Sequence, residues 1–209
     1  MPAMKGDLMV QLCAVIHDDV TTTDELIPSG ESSSYRSNPI RLSDLALSRR
    51  VPDYVGRSKG ARAVEAANAK GELPTDVKDK LASCGGDPAK TSFGSCVFSH
   101  RPGDGSAREQ AAYQKVLGGF ANICYEYATK RYRSNCINWG IVPFTISRDT
   151  PFDYQPGDWV YIPNVKENIL NGVETFKGTV ISADGLHEIT LNCGGLTDEE
   201  KEKIGRAHV

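Results

Sequence analysis

The feature that most limits the fold is an alternation in the middle of the chain: apolar run, glycine-rich turn, amphipathic segment, glycine stop, apolar run again. "TSFGSCVFSH" alternates small and apolar residues up to a Pro-Gly-Asp-Gly turn, so a strand delivers the chain to Ser106. A helix over Ala107 to Leu117 follows, ended by Gly118-Gly119 as a C-terminal glycine cap ends one. "ANICYEYA" then reads as a strand, "TKRYRSNCINW" as a helix or turn, and "GIVPFTI" as a strand. Strand and helix alternating in this way build an α/β layer.

The flanks extend the pattern. Met9 to Ile16, "MVQLCAVI", suits a buried strand, and the Ser-, Thr-, Pro- and Gly-rich "TTTDELIPSGESSSYRSNP" behind it is loop chemistry over a length that usually marks function. "IRLSDLALSRR" carries a modest helix signal. From Gly56 to Lys90 the chain is polar and rich in Ala and Lys, with helices predicted at Ala61 to Ala69 and Thr75 to Ala82, and reads as a surface elaboration. "GDWVYIP", "ETFKGTVIS" and "HEITLNC" read as strands, the last two joined at an Asp184-Gly185 hairpin signal. With 209 residues, 39% hydrophobic, the chain suits one globular domain with a packed core.

Charge and cysteine spacing exclude several classes. A net charge of -3 with scattered Lys and Arg argues against a nucleic-acid surface. No apolar run approaches the roughly 20 residues that span a bilayer, and Leu8 to Ile16 lacks the pattern of a signal peptide, so a cytoplasmic protein with no membrane partner is expected. Cys13, Cys84, Cys96, Cys124, Cys136 and Cys193 form no C-x-x-C pair and read as buried reduced thiols. His17 and His100 sit at strand ends, and neither has a spacing partner for a metal; no metal ligands are assigned.

Ser106 remains as the chemical question. Ser106 and Glu109 form S-x-x-E, a capping box, which by itself explains the serine. The dinucleotide loop fails because Arg108 stands where the third glycine or alanine belongs, the P-loop lysine is missing, and the frame Asp104-Gly105-Ser106-Ala107-Arg108 is no nucleophile elbow. An anion site survives: helix-start amides and Arg108 both favour negative charge, on a bound carboxylate or on a serine alkoxide.

In order along the chain, "HDDVTTTDELIPSG", "SYRSNP", "GDGSAREQAA" and "YRSNCINWGIVPF" resemble the C-terminal swivelling domain of the aconitase superfamily, from Leu8 to about Glu200. The resemblance implies an α/β fold of the swivelling β/β/α kind found in aconitases and in the small subunit of isopropylmalate dehydratase. It implies a hydro-lyase that removes and adds water on a hydroxy-polycarboxylate such as citrate or isocitrate. An iron-sulfur (4Fe-4S) cluster would be held by other domains or a large subunit, with none on this chain. Residue by residue, Ser106 matches the base that takes a proton from the carbon next to a carboxylate. Arg108 and Arg36 match carboxylate-binding arginines, and a guanidinium suits that task because its planar fork bonds bidentately. Asp24 matches the aspartate of T-T-D, which orients a neighbour. Arg133, in "TKRYR", is more simply a charged helix face.

Three positions depart from the family pattern: Ala107 replaces a second serine, Gln110 a histidine, and Glu25 the histidine of T-T-D-H. The alternatives are a separate small subunit of an isopropylmalate-dehydratase-like enzyme and a non-catalytic carboxylate-binding module. The tail "KIGRAHV", Lys203 to Val209, has no place in the family pattern. It can be encoded by AAG ATC GGA AGA GCA CAC GTC, which contains the start of a common short-read sequencing adapter. Residues 203–209 are therefore expected to be adapter translation, and residues 1–202 the swivelling domain, a fragment of a longer chain.

Overall fold

The computed structural model describes residues 3–30, 34–106 and 109–206. Seven of the described strands close into a barrel. In order around it they are β1 (Asp7–Ile16), β3 (Thr91–Ser99), β5 (Gly119–Cys124), β6 (Val142–Thr145), β9 (Gly185–Asn192), β8 (Thr175–Ser182) and β7 (Trp159–Ile162). The first four run parallel, and the antiparallel β7–β8–β9 meander joins β1 to β6. The predicted β8–β9 hairpin is present, with Gly185 at φ +126°.

Alternation along the strands explains the barrel interior. Leu8, Val10 and Leu12 of β1 pack inward with Phe98, Ile123, Phe144, Val160 and Leu191. Between Leu12 and Ala14 the register with β3 slips by one residue, so Cys13 is a bulge. Cys13, Ala14 and Ile16 therefore meet the helical layer, and Val15 returns to the interior.

That layer comprises α1 (Thr23–Leu26), α2 (Pro39–Ser43), α3 (Tyr54–Ala69), α5 (Lys130–Asn138) and a 3-10 helix, Glu109–Leu117. The predicted α-helix after Ser106 is thus a 3-10 helix where it is described, and residues 107–108 lie outside the described residues. Its residues Ala111, Ala112, Gln114, Lys115 and Leu117 are all enclosed. It ends as predicted at Gly118, φ +107°, where a Cβ would lie 2.7 Å from the Cβ of Arg62.

The stretch read as a surface elaboration carries α3 and α4 (Thr75–Ser83), and α3 is anchored in the core. Its stripe Tyr54, Ser58, Ala61 and Glu65 is buried. Ser58 Oγ lies 2.6 Å from Ser95 Oγ, and Glu65 accepts from the Phe93 amide at 2.5 Å. Three described α-helices have no counterpart in the sequence reading: α1, inside the stretch read as loop, α6 (Val165–Leu170) and α7 (Asp198–Arg206). Helix α7 reaches into the segment read as adapter translation, and Ile204 is buried in the barrel core beside Ile169. Among the described residues no helix is long and apolar enough to cross a membrane.

Candidate functional site

Beyond the carboxyl ends of β1 and β3 the chain forms a small parallel ribbon of β2 (Thr21–Thr22) and β4 (Pro102–Asp104). The Thr21 amide donates to the Arg101 carbonyl at 3.0 Å. This pairing joins two sequence motifs some eighty residues apart, T-T-T-D and G-D-G-S. At their junction Thr23 Oγ1 donates to the backbone carbonyl of Ser106 at 3.3 Å.

Two glycines make the close approach possible. Gly103, φ +94°, would place a Cβ 2.4 Å from Tyr132, and Gly105, φ +116°, would place one 2.9 Å from Thr23 Oγ1. The N-terminus of α5 grips the same turn from the other side. Thr129 caps α5 by accepting from the Tyr132 amide at 3.1 Å, and its hydroxyl donates to the Gly103 carbonyl at 3.2 Å. Behind it, Tyr132 is buried and its hydroxyl accepts from Gln114 and Asn122, each at 3.3 Å. Burial, with the neighbouring Cys136 thiol, holds the Tyr132 phenol well above its usual range, so it stays protonated. Ser106 is exposed at the tip of this clamped turn.

Asp24 lies within α1, next to Thr23. Its Oδ1 accepts from the Ser29 amide at 2.9 Å, and Arg49 reaches its Oδ2 at 3.6 Å. The aspartate orders the following loop. Glu25, where the family pattern has histidine, completes a capping box with Thr22: the Thr22 amide donates to Oε2 at 2.7 Å, and the Glu25 amide donates to Thr22 Oγ1 at 3.2 Å. The capping box predicted for Ser106 and Glu109 thus has a counterpart one strand away. Arg50 approaches Glu25 at 3.9 Å and also pairs with Asp18. Arg49 and Arg50, which sequence reasoning passed over, are the cations that hold the T-T-D segment. The tandem arginine after Leu47, itself in the left-handed region at φ +54°, was their only local signal.

Arg36 is exposed in the turn leading to α2, whose start is fixed by Asn38 accepting from the Arg41 amide at 3.2 Å. Leu42 of α2 shares a cluster with Ala111, Ala112 and Leu117, so the Arg36 turn is fastened to the helix that follows Ser106. Arg108 lies outside the described residues. Arg133, read as a charged helix face, donates to the Gly194 carbonyl at 2.5 Å and ties α5 to the approach to α7.

The cysteines do not suit an iron-sulfur cluster. Five are buried, and desolvation pushes Cys13, Cys136 and Cys193 up to about 12, far from the thiolate form that ligates iron. Among the described residues no group of three or more His, Cys, Asp or Glu side chains could hold a metal.

A barrel of mixed strands covered by helices, with a clamped ribbon at the carboxyl ends of its parallel strands, defines an α/β domain. Among solved structures, the crystal structure of 3-isopropylmalate dehydratase from Methanocaldococcus jannaschii is similar: TM-score 0.51 at 17% sequence identity, covering 92% of this chain and 86% of that one. No protein-family model and no curated protein matches the chain.

Proposed function

We propose that the chain is the small, carboxylate-binding subunit of a hydro-lyase of the isopropylmalate-dehydratase kind, working with a partner that bears the iron-sulfur cluster. The observation that carries the reading is the Thr23–Ser106 contact, because it makes one site of the two motifs the aconitase-like resemblance singles out. The likeness to the archaeal dehydratase runs over nearly all of both chains, which supports a unit of this size.

In this reading Ser106 Oγ accepts the proton as the carbon–hydrogen bond next to a carboxylate breaks, and returns it when water adds. A serine hydroxyl does this only where its ionised form is held by fixed donors. By the resemblance, the donor this chain would bring is Arg108, which lies outside the described residues. The clamp from Thr23 and Thr129 fixes the backbone that carries the hydroxyl, so little reorganisation is needed at the moment of transfer. The cysteines here do not suit a cluster, so no step on this chain runs through one.

A second substrate reading, a tricarboxylate such as isocitrate, is favoured by one residue. Arg36 presents a guanidinium where, by the resemblance, leucine-pathway dehydratases carry an apolar side chain. Both readings are tested by adding a cluster-bearing large subunit and following hydration of 2-isopropylmaleate and cis-aconitate by loss of alkene absorbance. Turnover should fall about a thousandfold or more in Ser106→Ala, the scale of losing an essential proton-transfer group. Equal turnover by variant and wild type removes Ser106 from the mechanism, and the preferred alkene decides between the substrates.

A further inference from the structure

His17 and His100, eighty-three positions apart, meet with His17 Nδ1 3.3 Å from His100 Nε2. The register explains the meeting. Ile16 pairs with Ser99 at the last rung of β1 and β3, so the next residue of each strand is a histidine. The bulge at Cys13 shifts the alternation of β1, which turns His17 to the same face as Phe98 and His100 instead of toward the helical layer.

We infer that this pair is a divalent transition-metal site, with zinc as the ion its geometry suits best. Two imidazole nitrogens bound to one tetrahedral zinc at about 2.0–2.1 Å lie about 1.63 times that distance apart, or about 3.3–3.4 Å, and the observed separation falls at that edge length. The rings are held in place before any ion arrives. Both pack against Phe98, at 5.8 and 5.9 Å, and His100 also stands edge-on to Tyr125 at 5.0 Å. A preset pair loses little side-chain freedom on binding.

His100 lines an open cleft of about 340 Å³ with Asp19, Arg101, Tyr125, Glu126 and Arg148, at the carboxyl ends of the parallel strands. Two of the nearby carboxylates are engaged elsewhere, Glu126 between Arg101 at 3.1 Å and Arg148 at 2.7 Å and Asp18 with Arg50, while Asp19 lines the same cleft. The site is therefore a two-histidine one among the described residues, its remaining positions taken by water. An ion so held is open on the cleft side and exchangeable, unlike a closed structural zinc.

The test is calorimetric titration of the whole chain with Zn2+ alone, alongside imidazole nitrogen NMR, with no activity measurement involved. One zinc should bind per chain, perturbing His17 Nδ1 and His100 Nε2. His17→Ala and His100→Ala should each weaken binding by about tenfold or more, and since both rings are at least partly exposed, melting curves will verify the fold. His187→Ala is the control, because His187 pairs with Asp184 at 2.8 Å and offers the obvious adventitious site. Binding untouched in both variants, or abolished in His187→Ala, means an adventitious ion only and overturns the assignment.

Discussion

Replacing Lys115 by methionine should stabilise the protein at neutral pH and remove a specific part of its pH dependence. Lys115 is 1% exposed. Its ammonium has one carbonyl partner, Gly140 at 3.1 Å, and sits 3.7 Å from the centroid of the Phe120 ring. Desolvation lowers its pKa from 10.5 to about 7, with Glu65 pulling weakly the other way. The sign follows from linkage: between the two values the unfolded chain binds more protons, so stability rises with pH. At pH 7 the burial costs on the order of 4 kcal/mol, and between pH 7 and 8.5 roughly 2 kcal/mol of that is recovered. Methionine fills a similar volume without the charge, and the Gly140 carbonyl left without its donor takes back about 1–3 kcal/mol. Lys115→Met should therefore be about 1–3 kcal/mol more stable at pH 7. Urea denaturation at pH 7 and 8.5 is the assay, kept below pH 9 because the buried thiols titrate the other way. A variant less stable at pH 7, or with the wild-type slope intact, refutes the claim that an enclosed amine is forced toward neutrality here.

Two further predictions test the clamp and the thiols. Gly103→Ala should cost about 3 kcal/mol, combining a strained φ with a methyl driven into buried Tyr132, whereas Gly71→Ala, φ +71° with open space around it, should cost about 1 kcal/mol; thermal melts of the pair separate crowding from strain. Of the cysteines, Cys84 is partly exposed and should alone react with a thiol reagent under native conditions. Cys13, Cys136 and Cys193, raised to about 12, keep their stabilising contribution below pH 9 and lose it above, at up to about 1.4 kcal/mol per pH unit each. Alkaline denaturation curves check the slope.

What the sequence disclosed and what it hid follow one physical line. Strands β1, β3, β5 and β6 and helix α5 announce themselves because their apolar residues fall at local periods. Helix α3 does not announce its buried side, since the stripe is Tyr, Ser, Ala and Glu: the burial is made by a serine pair and a carboxylate taking a backbone amide. The barrel's closure is hidden too, resting on the single rung Thr145–Asn192 between β6 and β9. Nor does the "EQAAYQKVL" segment betray that it forms an enclosed 3-10 coil.

The site was legible as residue types and illegible as geometry. Ser106, Asp24 and Arg36 stand out in their motifs, but a two-residue strand is too short to carry any period, and only β2 pairing with β4 brings T-T-D to G-D-G-S. Glu25 shows the reverse. As a departure from the family pattern it looks like a lost function, and in the fold it is the residue that completes the cap of α1. The bulge at Cys13 goes furthest. A single extra residue in β1, unmarked by glycine or proline, decides which face His17 presents, and so whether two histidines at distant positions are solvated strangers or neighbours within reach of one ion.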